Sequence, residues 1–385
     1  MEAPYPPFVL LRDDLADCSM LFAAPREIIR VDRKADFFPA LKRMEEAQAA
    51  GYWLAGYMSY EAGHLFEKKL ARFADDGGPV PYLLFGVFDV PQTDHPLAAP
   101  RQRSENEPFI SQPRAEWDAA AYAERFETLH QHLRRGDCYQ GNLTFPIEAS
   151  WSGDPLAGFW SLTARQPVRY GAYVNLGGPI VLSRSPELFF KVDREGWIET
   201  HPMKGTAPRG ASPEEDAAIV AAMKADEKTQ AENRMIVDLL RNDISRVSEV
   251  GTLDVPKLFE VETYPTLHQM ISVVRAKLLS EVRLTDIFAS LFPCGSVTGA
   301  PKMWAMEILA GLEAGPRGVY CGSIGYIAPD GSMRFNVAIR TIVLSEDGRA
   351  RFNVGGGVVF DSTAESEYDE ALLKARFAVG DQVIA

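Results

Sequence analysis

The chain has 385 residues, 46% hydrophobic and 24% charged, enough apolar material for a sizeable core and too much chain for one small module. With 53 acidic against 40 basic residues the net charge is −13, which speaks against broad contact with nucleic acid or an anionic membrane surface. An anionic substrate would need a local concentration of Arg, Lys, backbone N–H or metal.

Cys18, Cys138, Cys294 and Cys321 form no CxxC pair, and His130 and His132 fall on different faces of a helix, so neither set makes a metal site. The opening MEAPYPPFVLLRDDLADC has no basic region followed by an apolar core, and no run approaches the ~18 apolar residues of a membrane span. The expectation is a soluble, reduced, cytoplasmic protein.

In chain order, a helix is expected from about Phe37 to Ala50, then strands over Tyr52–Tyr60 and Val80–Val90. Five prolines (Pro91, Pro96, Pro100, Pro108, Pro113) mark an exposed connection, which divides the chain into 1–90, a linker at 91–116 and a main region at 117–383. Tyr122, Phe126, Leu129 and Leu133 follow the spacing of a core-facing helix that Gly136 stops. Strands are expected at Tyr139–Ala149, Arg169–Asn175, Ile180–Arg184 and Leu188–Val192, and a helical block from Ser212 to Val247. Helices at Thr285–Phe292 and Pro301–Leu312 precede strands at Val319–Ile327, Met333–Leu344 and Ala350–Val354. Gly355-Gly356-Gly357 reads as a turn, and a helix from Thr363 to Phe377 carries the capping-box spacing Ser362-x-x-Glu365. Runs of strands joined by turns favour an antiparallel α+β architecture over a doubly wound one.

Four stretches are too specific for bulk structure. In HPMKGT, Lys204 stands between a stiff proline segment and a permissive glycine; it is either a solvated turn lysine or, if buried, an amine nucleophile. Glu367, Glu370 and Lys374 share one helix face, and Glu232 lies on another helix. They form either a plain i, i+4 pair or carboxylates beside an anion loop at Gly355–Gly357, which suits a bridging Mg²⁺. Pro293–Lys302 is a Gly-rich loop feeding a helix, without P-loop spacing; an anion site and simple glycine packing are both open. Asp238–Asp243 follows an apolar stripe, where Arg241 and Asp243 serve helix-end and interhelix hydrogen bonds.

Together the runs YQGNLT, SPELFF, PMKGTAPRG, AENRMIVDLLRNDISRV, PTLHQM, FPCGSVTGAPKMWAMEIL, GVYCGSIGYI, NVAIRT and GGGVVFDSTAESEYDEALLKA resemble the chorismate-utilising enzymes over roughly Trp117 to Val383. The resemblance implies two facing antiparallel sheets flanked by helices (αββα layers), with the N-terminal region packed into the composite fold, and it implies chorismate and Mg²⁺. Lys204 stands where the anthranilate synthase branch usually has alanine and the aminodeoxychorismate synthase branch has lysine, so PMKGT is similar to the latter.

By the same resemblance Lys204 is the nucleophile at C2 of the ring, and Glu187 the acid that assists departure of the C4 hydroxyl. Glu232 and Glu370 are Mg²⁺ ligands with Glu367 nearby, and Tyr320 and Arg340 hold the enolpyruvyl carboxylate. Gly205, Thr206, Gly355, Gly356, Gly357, Lys374, Thr298 and His268 line the pocket, and Gln140 and Asn142 position the nucleophile. The end of the chain at Ala385 implies no fused glutaminase, so that ammonia comes from a separate glutamine amidotransferase subunit. Anthranilate synthesis, isochorismate-type chemistry and a non-catalytic chorismate-binding subunit are the alternatives. Lys204 argues against the first, Gln140 in place of a lysine base against the second, and the complete acid–lysine set against the third.

Overall fold

In the computed structural model the described residues are 5–100, 108–264 and 267–385. Residues 101–107 of the Pro-rich connection, and Pro265 and Thr266 of PTLHQM, lie outside them. Two antiparallel sheets carry the fold. The first runs, strand by strand, Gly299–Ala300, Gln140–Trp151, Arg349–Val358, Thr341–Leu344, Ile180–Ser185, Tyr170–Asn175, Phe8–Asp13 and Cys18–Ala23. The second runs Met203–Pro208, Leu267–Lys277, Trp197–Thr200, Leu188–Val192, Met333–Asn336, Ser323–Ile327, Trp53–Met58, Leu83–Phe88 and Glu27–Val31.

The layering follows from side-chain alternation. In Phe8–Asp13, Phe8 and Leu10 join the core under the helices Ala119–Arg135, Pro155–Arg165 and Ala364–Val379, while Val9 and Leu11 join the core between the sheets. Leu83 and Phe85 likewise face the helices Phe37–Ala49, Glu227–Ser245 and Leu284–Leu291, with Leu84 on the inner side. These two strands are therefore apolar on both faces, and the four layers are helix, sheet, sheet, helix. This is the expected α+β arrangement.

Several boundaries differ from expectation. The run Met333–Leu344 is two strands in different sheets, and the block Ser212–Val247 is two helices, Pro213–Ala225 capped by Ser212 and Glu227–Ser245 capped by Asp226. The last helix is capped by Thr363, while Ser362 donates to Glu367 Oε1 at 2.7 Å. Part of the connection, Ile110–Ala115, is a strand paired with Gln140–Trp151. The two ends of the N-terminal region sit in different sheets: Phe8–Asp13 and Cys18–Ala23 in the first, Glu27–Val31, Trp53–Met58 and Leu83–Phe88 in the second. Among the described residues no helix is long and apolar enough to cross a membrane.

One buried cation ties the layers together. Arg317, with its side chain 1% exposed, donates to both oxygens of Glu313 at 2.8 Å and to the carbonyls of Val297 (2.9 Å) and Asn142 (2.7 Å). Removing it strands a buried carboxylate and two carbonyls. Arg317→Met is expected to lower unfolding stability in urea by about 3–5 kcal/mol. A loss indistinguishable from that of a surface arginine would show that the pair contributes nothing.

Candidate active site

The gap between the sheets is lined where two neighbouring strand pairs change sheet. Ile180–Ser185 belongs to the first sheet and Leu188–Val192 to the second, with Pro186-Glu187 as the crossing; Met333–Asn336 and Thr341–Leu344 make the reverse crossing through Val337–Arg340. The two crossings are bonded to each other. Arg184 N donates to the Arg340 carbonyl (2.9 Å), and Val337 N to the Glu187 carbonyl (3.1 Å). Arg340 has φ +51°, a left-handed conformation that few arginines adopt and that the paired crossing enforces.

Glu187 is 5% exposed, and its Oε1 accepts from Ser296 Oγ at 2.7 Å. Burial pushes its pKa up to about 7, against the Ser296 hydrogen bond and the charges of Lys204 and Arg340. The Arg340 guanidinium is lowered to about 10 by burial, against the attraction of Glu187. A carboxyl poised near neutrality beside two cations is equipped to give up a proton at a developing hydroxide.

Lys204 reaches this gap from the strand Met203–Pro208. The register with Leu267–Lys277 slips between Lys204 and Thr206, and the extra residue is Gly205, φ +70°. A β-carbon there would lie 2.6 Å from Thr229 Cγ2, so both the bulge and the space demand glycine. Gln269 clamps the bulge: its Nε2 donates to the Gly205 carbonyl at 2.7 Å, and its Oε1 accepts from Thr206 Oγ1 at 2.9 Å. Lys204 is neither in a turn nor solvated, since its side chain is 16% exposed. Its Nζ lies 3.6 Å from Glu232 Oε2.

The glycine triplet forms no turn and no anion loop. Gly355, Gly356 and Gly357 lie inside the strand Arg349–Val358, paired with Thr144, Leu143 and Asn142. Turn chemistry misleads here because the bare strand serves close approach instead. A β-carbon on Gly357 would lie 3.1 Å from Gln140 Nε2 and 3.5 Å from Lys204 Nζ; one on Gly356 would lie 2.8 Å from Glu367 Oε2 and 3.5 Å from Lys374 Nζ. The two missing side chains at Gly356 and Gly357 thus let two amines, an amide and a carboxylate settle on one strip of backbone. Gln140 is fully buried with both amide atoms unpartnered, which marks a place for a ligand's polar group.

The carboxylates converge from two helices. Burial raises the Glu367 pKa against its Ser362 bond, with Glu370 and Glu232 adding to the rise. Burial acts to raise Glu370 as well, but Lys374 and Lys204 outweigh it and hold it low. Lys374 Nζ bonds Glu370 Oε1 at 2.8 Å and the Gly355 carbonyl at 3.0 Å, so the plain i, i+4 pair is made. Among the described residues no three His, Cys, Asp or Glu side chains stand as a ready-made metal cage. Oxygen donors that repel one another, two of them neutralised by lysines, fit a hard divalent cation held by one or two carboxylates with water and substrate.

The remaining predicted residues divide. Thr298 is fully buried, and its hydroxyl donates to the carbonyls of Cys294 (3.1 Å) and Gly295 (3.3 Å), shaping the loop. Asn142 N donates to the Thr298 carbonyl at 2.9 Å. Tyr320 is 7% exposed, and burial drives its hydroxyl pKa far up, so it stays a neutral donor. His268 has both ring nitrogens committed, to Thr263 Oγ1 (2.9 Å) and Asp216 Oδ1 (2.8 Å). In the Gly-rich loop, Lys302 is taken by Asp243 (2.6 Å) and the Leu291 carbonyl (2.8 Å), and Gly299 packs on the Gln140 carbonyl. Glycine packing, not an anion site, is what this loop shows. Asp243 holds the interhelix role expected of it, and Arg241 bonds Asp238 at 2.9 Å. Ser296 and Gln269 were not among the expected site residues; both lie inside the motif runs, but nothing local tells which polar residue of a run touches the acid or the bulge.

The chain is similar to known proteins over most of its length. A family model described as chorismate binding enzyme matches residues 7–380. The aminodeoxychorismate synthase of Streptomyces pristinaespiralis is 44% identical over 255 residues, which is 66% of this chain and 35% of that protein. The aminodeoxychorismate synthase component 1 of Klebsiella aerogenes is 38% identical over 339 residues, 83% of this chain and 74% of the relative. This chain therefore spans about a third of the Streptomyces protein and about three quarters of the Klebsiella one. Among solved structures, anthranilate synthase component I from Streptococcus pneumoniae TIGR4 superimposes with a TM-score of 0.78 at 26% identity, covering 98% of this chain and 93% of that one. Motifs, layered fold and site geometry thus lead to one conclusion: the chain belongs to the chorismate binding enzyme family.

Proposed function

We propose that this protein is the chorismate-aminating component of an aminodeoxychorismate synthase, a cytoplasmic enzyme that supplies the precursor of p-aminobenzoate for folate synthesis. The observation that carries the reading is Lys204, its Nζ set between Glu232 and the bare backbone of Gly357 in the gap that also holds Glu187. The names of the Streptomyces and Klebsiella relatives support it. Overall likeness alone would not separate it from anthranilate synthesis, given the Streptococcus structure. The lysine does.

In this reading the Lys204 amine forms a bond to C2 of chorismate as the ring double bond shifts and the C4–O bond breaks. Glu187 gives its proton to the departing hydroxide, which leaves as water. Ammonia then bonds to C4 and gives its extra proton to the Glu187 carboxylate, the double bond shifts back and the Lys204 amine leaves C2, giving 4-amino-4-deoxychorismate and restoring the acid. Arg340 and Tyr320 hold the enolpyruvyl carboxylate, the guanidinium by paired N–H donors. Gln140 offers its unpartnered amide to the incoming nucleophile. Glu232 and Glu370, with Glu367 beside them, would hold Mg²⁺, which supplies charge neutralisation and orientation at the ring carboxylate. A separate glutamine amidotransferase subunit delivers the ammonia.

Two assays test the reading. Purified chain with Mg²⁺ and ammonium should consume chorismate, whereas glutamine should support turnover only after the amidotransferase is added. Turnover with glutamine alone would remove the need for a partner. Calorimetric titration of Mg²⁺ into the chorismate-bound protein should show binding that Glu232→Gln and Glu370→Gln each weaken by about tenfold or more. Unchanged binding in both variants would displace the metal from these carboxylates.

A further inference from the structure

A cavity of about 360 Å³ lies beside the catalytic gap, between Tyr60–His64, the segment Glu313–Tyr320, and the strands Thr341–Leu344 and Arg349–Val358. It shares Tyr320 with the expected chorismate pocket, but Lys204, Glu187, Glu232, Gln140 and Glu370 do not line it.

Its polar end is unfinished. Tyr60 and His64 are each 4% exposed, and the Tyr60 hydroxyl and both His64 ring nitrogens have no hydrogen-bond partner. Buried donors and acceptors left in this state cost free energy until something pairs with them. Burial, reinforced by the charge of Arg317, lowers the His64 pKa to about 4, so the ring is neutral at pH 7 and offers one donor and one acceptor.

The rest of the lining says what fits. Phe73, Val80 and Phe352 give apolar wall. Three acids (Glu61, Asp75, Glu313) face three arginines (Arg72, Arg317, Arg351), so neither charge sign is favoured. Every one of those arginines is already paired: Arg72 with Glu307, Arg317 with Glu313, Arg351 with Glu148. An anion would find no free cation, and a cation would meet the guanidinium of Arg317. The volume lies in the range of small-molecule pockets rather than single-water holes.

We propose that this cavity is a second ligand site, for a small uncharged aromatic molecule whose polar edge carries both a donor and an acceptor for Tyr60 and His64. Its occupant rests against Arg317, the same side chain that ties the Val297 and Asn142 carbonyls beside the catalytic gap.

Benzamide is the probe, titrated into the full chain by ligand-observed NMR with chorismate present and ammonium absent. Benzamide should bind without being displaced by chorismate, and benzylammonium should bind far more weakly. Tyr60→Phe, which removes only the hydroxyl, and His64→Phe, which keeps the ring, should each weaken benzamide roughly fivefold, the worth of one hydrogen bond. Tyr60→Phe carries the test if His64→Phe does not fold. Displacement by chorismate, equal affinity in the Tyr60→Phe protein, or a cavity holding only water at millimolar benzamide would each overturn the proposal.

Discussion

Lys204→Ala should fold as the parent does, bind chorismate, and lose amination by about a thousandfold or more, the scale on which enzymes lose turnover when a nucleophile is deleted. The folding half follows from the geometry. Lys204 makes one long ion pair, 3.6 Å to Glu232, and the bulge that carries it is held by Gly205 and Gln269 rather than by the lysine. Intact-mass spectra of the parent trapped with chorismate and Mg²⁺ but without ammonium should show a covalent adduct, absent from the variant. An adduct of the same mass in Lys204→Ala would make another residue the nucleophile.

Glu187→Gln should move activity and stability in opposite directions. A general acid typically contributes 10²–10⁴ in rate, and glutamine has no proton to give, so turnover should fall by about that factor. Stability follows from the sign of the pKa shift. Glu187 is raised from 4.5 to about 7 chiefly by burial, so its ionised form is disfavoured in the folded protein. That penalty is absent below pH 4.5, grows as pH rises, and is complete above about 7. Glutamine avoids it while keeping an oxygen for Ser296. Without substrate, the variant should be more stable than the parent by about 1–3 kcal/mol at pH 8 and equal to it near pH 4. Chemical denaturation at the two pH values reads this directly, and a variant less stable at pH 8 would mean that Glu187 is held ionised.

Parts of this were legible in the sequence, and the reasons differ by element. The helix at Ala119–Arg135 declared itself because one face is solvated and the other buried, and Gly136 ends it in the left-handed conformation with φ +78°. The strands Phe8–Asp13 and Cys18–Ala23 gave no such signal, since strands covered on both faces lose the alternation that marks a half-exposed one. The run Met333–Leu344 hid a change of sheet: it is buried at most positions, and nothing local marks where the chain leaves one layer for the other. That hidden crossing is what positions Arg340, just as the Pro186-Glu187 crossing positions the acid.

Gly355–Gly357 departs from the expected turn for the opposite reason. Glycines usually signal turns, but here they clear a strand so that Lys204, Gln140, Glu367 and Lys374 can approach it. Motif resemblance supplied residue names at the site, whereas contacts such as Ser296 with Glu187 and Gln269 with Gly205 depend on chain segments 109 and 64 residues apart. Tyr60 and His64 lay in no motif at all.

The most direct test is the identity of the product. Purified chain, chorismate, Mg²⁺ and ammonium should yield a compound that keeps the enolpyruvyl group and carries an amine in place of the C4 hydroxyl, identified by mass spectrometry. Fluorescent anthranilate with release of pyruvate would contradict the account, because Lys204 would then fail to set the reaction.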